Sequence, residues 1–332
     1  MTSPLHDLIA KKGWVLADGA LGTNYFQRGL ETGDPPELWC VDKPDEVLAL
    51  HQAFIDAGAD IILTNSFGGT RYRLKLHQAD DQVAMLNKAA ARLARQSADA
   101  ADRQVLVGGS IGPTGELFSP LGALDRQSAI DAFTEQAKAL RDGGADLLWI
   151  ETMSSAEEME AAVFAARASG LPVCATMTFD TAGRTMMGIT PQDFASQAAD
   201  LSLDGFGANC GIGPAELLDT ITHFNGPHED RFIIAKGNCG IPQYMDGEIH
   251  YHGSPELMAD YALMARDAGA TIIGGCCGTT PAHLGAMYDK LSQTPKQAFD
   301  AEKAASLLGA AWSNLPDTPA NPSARRGRRR RK

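Results

Sequence analysis

The sequence predicts an α/β protein built as a single (β/α)8 TIM barrel, and three observations carry that expectation. Eight short apolar runs alternate with amphipathic stretches along the chain. Three of those stretches end in the same punctuation: D-A-G-A-D at 56–60, D-G-G-A-D at 142–146 and D-A-G-A-T at 267–271. Glycine-rich polar segments collect where the apolar runs end, the face on which barrel enzymes keep their chemistry. A doubly wound open sheet is the competing architecture. It would want G-x-G-x-x-G after the first strand, where this chain reads D-G-A-L-G-T.

Strands are expected at 14–20, 60–65, 105–110, 146–151, 172–179, 205–209, 232–236 and 271–275. Short apolar runs bounded by glycine and polar residues suit strands buried on both faces, as parallel strands are. Helices are expected at 44–57, 81–101, 125–141, 156–168, 191–201, 214–223, 255–268 and 281–291. Several open with proline or an acidic residue, which helix N-termini favour. The glycine of each punctuation supplies the left-handed turn that ends a helix. The barrel is expected over 1–295, a helical extension over 296–313 and a disordered Arg-rich tail over 314–332.

With 44% hydrophobic and 21% charged residues, the 332-residue chain reads as globular. Its formal charge of −12 hides an asymmetry. Seven of the 29 basic groups fall between Arg325 and Lys332, leaving an acidic body. That body lacks the clustered positive charge of a nucleic-acid-binding surface. The tail reads as a solvated terminal run. Neither a signal-peptide core nor a membrane span is apparent. Six cysteines, two of them adjacent, do not resemble a secreted disulfide framework, so a reducing cytoplasm is expected. Self-association is left open.

The chemistry is read from three cysteines: Cys210 in G-A-N-C-G-I-G, and Cys276 and Cys277 in G-G-C-C-G-T-T-P. They fall at the ends of strands six and eight, one strand apart at the barrel mouth. Three thiolates suit a soft metal, with zinc the natural candidate, and a three-ligand site leaves one tetrahedral position open, as catalytic zinc does. Adjacent residues on a regular strand face opposite ways, so Cys276 and Cys277 can share a metal only where the backbone leaves strand geometry. A thiol entering the open position would be held as thiolate. Alkylation of a substrate thiol is therefore the implied reaction. Glu151 and Asp18 are placed to meet an ammonium group. Backbone N–H groups of Gly19, Ala20 and the turn to Thr23 are placed to meet a carboxylate. A thiol amino acid fits all three features.

At these residues the chain resembles the homocysteine S-methyltransferase family, over about 13–291. The shared motifs are D-G-A-L-G-T (18–23), A-G-A-D-I-I-L-T-N-S-F-G-G (57–69), G-S-I-G-P-T-G (109–115), E-T-M (151–153), G-A-N-C-G (207–211) and G-G-C-C-G-T-T-P (274–281). The resemblance implies a (β/α)8 barrel in which Cys210, Cys276 and Cys277 hold catalytic Zn²⁺. It implies contact of Asp18, Gly19 and Glu151 with the amino-acid end of homocysteine. Asn65 ends strand two and is counted with the substrate-binding residues. Asn209 and Asn238 are expected to orient ligands and substrate from behind. The expected reaction is methionine formation by methyl transfer to a zinc-bound homocysteine thiolate, from betaine or a related onium compound. A methylcorrinoid protein, as in a split cobalamin-dependent methionine synthase, is the alternative donor.

The chain departs from the family at strand seven, where P-N-A-G is replaced by G-N-C-G (237–240). It also lacks two aromatic residues of the animal betaine enzymes, having Gly68 and Thr152 at those places. Tyr244, Tyr251, Trp39 and Phe118 are left as candidates for a differently built cage around a trimethylammonium group. Cys40 and Cys174 read as small buried apolar groups. Cys239 has no place on a metal already given three ligands and a substrate. His250 and His252, two apart, suit a β-hairpin with both rings on one face. Two rivals stand outside methyl transfer: a thiol redox or zinc-buffering protein, and an aldolase-type barrel using Lys236 as a Schiff base.

Overall fold

The computed structural model describes residues 3–224, 231–245 and 248–313. The Arg-rich tail lies outside the described residues. Eight parallel strands form the barrel: β1 (Val15–Leu16), β2 (Ile61–Leu63), β3 (Leu106–Ile111), β4 (Leu147–Met153), β5 (Val173–Met177), β6 (Gly205–Cys210), β7 (Phe232–Gly237) and β10 (Ile272–Gly275). They run in the order β1-β10-β7-β6-β5-β4-β3-β2. The ring closes between β1 and β2. Ala17 bridges Ile61, the Asp18 N–H donates to Ile61 O (2.9 Å), and the Asp60 N–H donates to Leu16 O (2.7 Å). An antiparallel hairpin of β8 (Gln243–Met245) and β9 (Glu248–His250) stands outside the barrel, between β7 and its helix.

Period-two alternation divides the core in two. Val15, Ala17, Ile61, Leu63, Trp149, Ile234 and Ile272 point inward, and Leu5, Leu8 and Ile9 of the first helix, Pro4–Lys12, plug the bottom. Leu16, Ile62, Leu148, Ile150, Ala235 and Ile273 point outward against the helices. By the same alternation, Lys236 and Glu151 follow Ile234 and Trp149 into the barrel interior. That parity sends two charged side chains inside.

Eight helices cover the sheet: Pro44–Asp56, Val83–Asp99, Arg126–Gly143, Ala156–Arg167, Pro191–Asp200, Pro214–Thr222, Pro255–Asp267 and Pro281–Gln293. Each lies within a few residues of its expected position. The punctuation glycines have φ of +106°, +108° and +112° at Gly58, Gly144 and Gly269, the region an L-residue avoids. The first strand is much shorter than 14–20, because the chain leaves the ladder at Asp18. The Asp18 carboxylate there takes the Leu63 N–H that a strand carbonyl would otherwise accept (2.7 Å). A further helix, Ala301–Leu308, lies within the expected extension. No described helix is long and apolar enough to cross a membrane.

Candidate active site

The three cysteines meet at the C-terminal mouth of the barrel, their sulfur atoms all within 4.8 Å of one another. Cys210 Sγ and Cys277 Sγ are 3.9 Å apart. Four ligands at a Zn–S length of about 2.3 Å in a tetrahedron put sulfurs about 3.8 Å apart, so the donor set fits zinc without rearrangement of that pair. The backbone bends to make it. Cys210 ends β6 at φ +62°, and Gly211 follows at φ +78°. β10 stops at Gly275, so Cys276 and Cys277 fall in the turn beyond it, closed by the Thr279 N–H on Cys276 O (3.0 Å). Gly278 has φ +80°, and a Cβ there would collide with Tyr251. Two bonds fix this turn to β7 and its following loop: Cys276 N–H to Gly237 O (2.7 Å) and Cys239 N–H to Cys277 O (2.8 Å).

Packed together, the thiols resist ionisation. Cys276 favours the Cys210 thiolate, but Cys277 and burial outweigh it and push Cys210 up to about 12. Cys277 is likewise pushed up to about 12, the help of Cys210 being outweighed by Cys276 and burial. A cluster that holds its protons this firmly needs a cation to displace them, which makes metal affinity rise with pH.

Asn209 braces the cluster. Fully buried, it accepts from the Thr152 N–H (2.9 Å) and Thr176 Oγ1 (2.7 Å), and its amide donates to Thr152 Oγ1 (2.8 Å) and toward Cys276 Sγ (3.8 Å). Asn209→Ala is therefore expected to weaken metal affinity or activity by about 10–100-fold with the fold intact, measured by metal competition against a chelating dye.

Beside the sulfurs lies a buried charge cluster. Lys236 Nζ sits 2.8 Å from Asp18 Oδ1, the two side chains being 2% and 0% exposed. Asp18 is wholly buried with both oxygens engaged, by Lys236 and by the Leu63 N–H, and is not among the residues lining the cleft. Burial raises its pKa against the pull of Lys236. Burial alone would lower Lys236, yet Asp18 and Glu151 outweigh it and hold the ammonium charged. Its ammonium is engaged by Asp18 at 2.8 Å, a structural ion pair that counts against the aldolase reading. Glu151 lines the cleft and accepts from Ser110 Oγ at 2.5 Å. Burial lifts its pKa, with Lys236 and Ser110 opposing and Asp18 adding to the rise.

These groups floor a cleft of about 510 Å³. Gly19, Ala20, Thr23 and Asn65 line it, as does Glu151. Thr23 Oγ1 accepts the Gly278 N–H (3.2 Å), tying the first loop to the cysteine turn. Asn65 is held by Pro36 O (2.6 Å) and Cys40 Sγ (3.5 Å). Asn238 is buried and donates to Gly211 O (2.7 Å). Cys239 stands apart from the cluster, its thiol donating to Gly253 O (3.2 Å). The His250 and His252 rings stack in parallel, 6.1 Å between centroids.

Sequence reasoning missed three features. A bulge in β4 between Ile150 and Met153 leaves Thr152 at φ +64°; a single sequence carries no signal for it. Lys236 was weighed only as a nucleophile, although its parity with Ile234 placed it inside. The cleft rings among the described residues are Phe26 and Phe67; Trp39, Phe118 and Tyr251 are not among the lining residues, and the side chain of Tyr244 lies outside the described ones. Trp39 is buried against Tyr25, and Tyr251 packs on Gly278.

The sequence profile of the homocysteine S-methyltransferase family matches residues 15–291. Fold and match define the class, a (β/α)8-barrel methyltransferase. The chain belongs to the homocysteine S-methyltransferase family. It is 31% identical over 298 residues to the methionine synthase of Mycobacterium tuberculosis, covering 84% of this chain and 25% of that protein. For the methionine synthase of Mycobacterium leprae the values are 30% over 288 residues, 81% and 24%. The chain thus spans about a quarter of the length of these relatives. The homocysteine methyltransferase MmuM of Escherichia coli superposes with a TM-score of 0.73 in its oxidised form (26% identity). In its metallated form the TM-score is 0.72 (25% identity), with 87% of this chain and all of that chain covered in both cases.

Proposed function

We propose that this enzyme is a zinc-dependent homocysteine S-methyltransferase that forms methionine, with betaine or a related methylated onium compound as donor. The observation that carries this is the convergence of Cys210, Cys276 and Cys277 on the floor of a cleft that also holds Glu151. The three cysteines would hold zinc, which supplies the acidity that keeps an incoming thiol deprotonated at neutral pH. Glu151 takes the substrate ammonium, while Lys236 neutralises Asp18 behind it. The loop from Gly19 to Thr23 borders the place of the substrate carboxylate, at the opening of the short helix Gly22–Phe26. Asn209 holds Cys276, and Asn238 holds the loop after Cys210.

A second reading rests on the likeness to methionine synthases of which the match spans about a quarter: the chain would be the homocysteine-activating subunit of a split cobalamin-dependent enzyme, taking methyl from a methylcorrinoid protein. Purified protein should contain stoichiometric zinc and convert homocysteine to methionine with glycine betaine alone. Turnover only with a methylated corrinoid protein would transfer the assignment to the second reading. A metal-free preparation with full activity would refute both, and zinc release on mild oxidation without methyl transfer would favour a redox protein.

A further inference from the structure

Glu151 is only 8% exposed, so the protein groups around it, more than water, decide where its carboxylate rests. Ser110 Oγ donates to Oε1 at 2.5 Å, and no hydrogen bond among the described residues engages Oε2. Both residues line the cleft. The serine is itself locked. Its N–H donates to Thr64 Oγ1 (2.9 Å), its carbonyl accepts from Ser66 Oγ (2.7 Å), and the Thr64 and Ser66 hydroxyls are 2.6 Å apart. A hydroxyl has a single proton to donate. Ser66 gives its own to Ser110 O, so Thr64 donates to Ser66, and the Ser110 proton goes to Glu151. Thr64, Ser66 and Ser110 are all buried, which strengthens these bonds by keeping them from water.

Two helices hold the three hydroxyls from behind. Gln136, wholly buried on Arg126–Gly143, donates to Ser66 O (2.7 Å) and Asn87 Oδ1 (3.0 Å). Asn87, on Val83–Asp99, donates to Gly69 O (2.8 Å), and a Cβ at Gly69 would collide with both amides. Beside Glu151 stands a competitor for its charge. Lys236 and Glu151 each act on the other's pKa, and the Lys236 ammonium is hydrogen-bonded to Asp18 alone among the described residues. A carboxylate released from Ser110 would be drawn toward that ammonium and away from an incoming ligand.

We propose that Ser110 is a positioning residue that sets substrate specificity: by holding Glu151 Oε1 it keeps Oε2 free for the α-ammonium of the substrate, so that amino-acid thiols are chosen over thiols lacking that group. This rests on the homocysteine methyltransferase reading above. A site built around a charge-assisted bond rejects the analogue that cannot make it, because its own buried group is then left without a partner. The discrimination survives only while the carboxylate stays in place, and Ser110, fixed by Thr64, Ser66 and Gln136, keeps it there.

Calorimetric titration of the zinc-loaded protein with homocysteine and with 4-mercaptobutyrate, the same thiol acid without its α-amino group, needs no methyl donor. The wild type should bind homocysteine more than tenfold more tightly. In Ser110→Ala that ratio should fall about tenfold, with the affinity for 4-mercaptobutyrate little changed. A merely structural lesion would weaken both thiols alike and leave the ratio standing. An unchanged ratio in Ser110→Ala, a parallel loss of both affinities, or a wild type that does not distinguish the two thiols would overturn the proposal and leave the homocysteine reading intact. A wild type that binds neither thiol would overturn that reading, and this proposal with it.

Discussion

Cys210→Ala is expected to remove bound zinc and methyl transfer together. The sulfur of Cys210 is one of only three in the cluster and lies 3.9 Å from Cys277. No other described His, Cys, Asp or Glu joins the cluster to replace it. Cys239, the nearest cysteine in sequence beyond the three, has its thiol bonded to Gly253 O instead. The loss should exceed the ~10–100-fold typical of residues one layer behind a metal ligand. Zinc per chain by elemental analysis and methionine formation on the same sample would check it. Retention of stoichiometric metal with full turnover would show that the sulfurs meet for another reason. The fold should survive, because the sheet register around Cys210 is set by backbone pairing with β7 and not by its thiol.

Lys236→Met is expected to cost about 3–5 kcal/mol of stability at neutral pH, the usual effect of stranding one partner of a buried ion pair. Asp18 would keep only its bond to the Leu63 N–H, in a wholly buried place where burial already raises its pKa. The pH dependence has a definite sign. A carboxyl whose pKa is higher folded than unfolded destabilises the fold most where it must be ionised, above its folded value. As pH falls through that raised value Asp18 takes up a proton and the penalty shrinks. The gap between variant and wild type should therefore narrow toward acid, as chemical denaturation at pH 7 and pH ~5 would show. An equal gap at both pH values would mean that the penalty does not come from the stranded Asp18 charge.

Much of this was legible in order and little of it in direction. The alternation of apolar and amphipathic segments placed eight strands and eight helices, because burial on two faces and on one face leaves different periods in a sequence. The glycines at 58, 144 and 269 announced their left-handed turns, since few other residues adopt them without strain. The cysteines could be assigned to strand ends by counting, and the conflict between adjacent Cys276 and Cys277 correctly implied a break in strand geometry. Asp18 shows where counting stops. Its motif placed it at the mouth, but which side of the wall its carboxylate occupies depends on Lys236, which is 218 residues away in sequence.

By itself, then, the sequence determined the barrel, the three sulfur donors and the family, because each is written in local periodicity or in residue type at a fixed spacing. Only the tertiary structure decided that Asp18 is paired with Lys236, that β4 bulges between Ile150 and Met153, and that Phe26, Phe67, Glu37 and Arg73 line one cleft. Those facts are pairings between strands and loops far apart in the chain. They follow from closure of the ring and the packing of its mouth, which bring together side chains with no common local pattern.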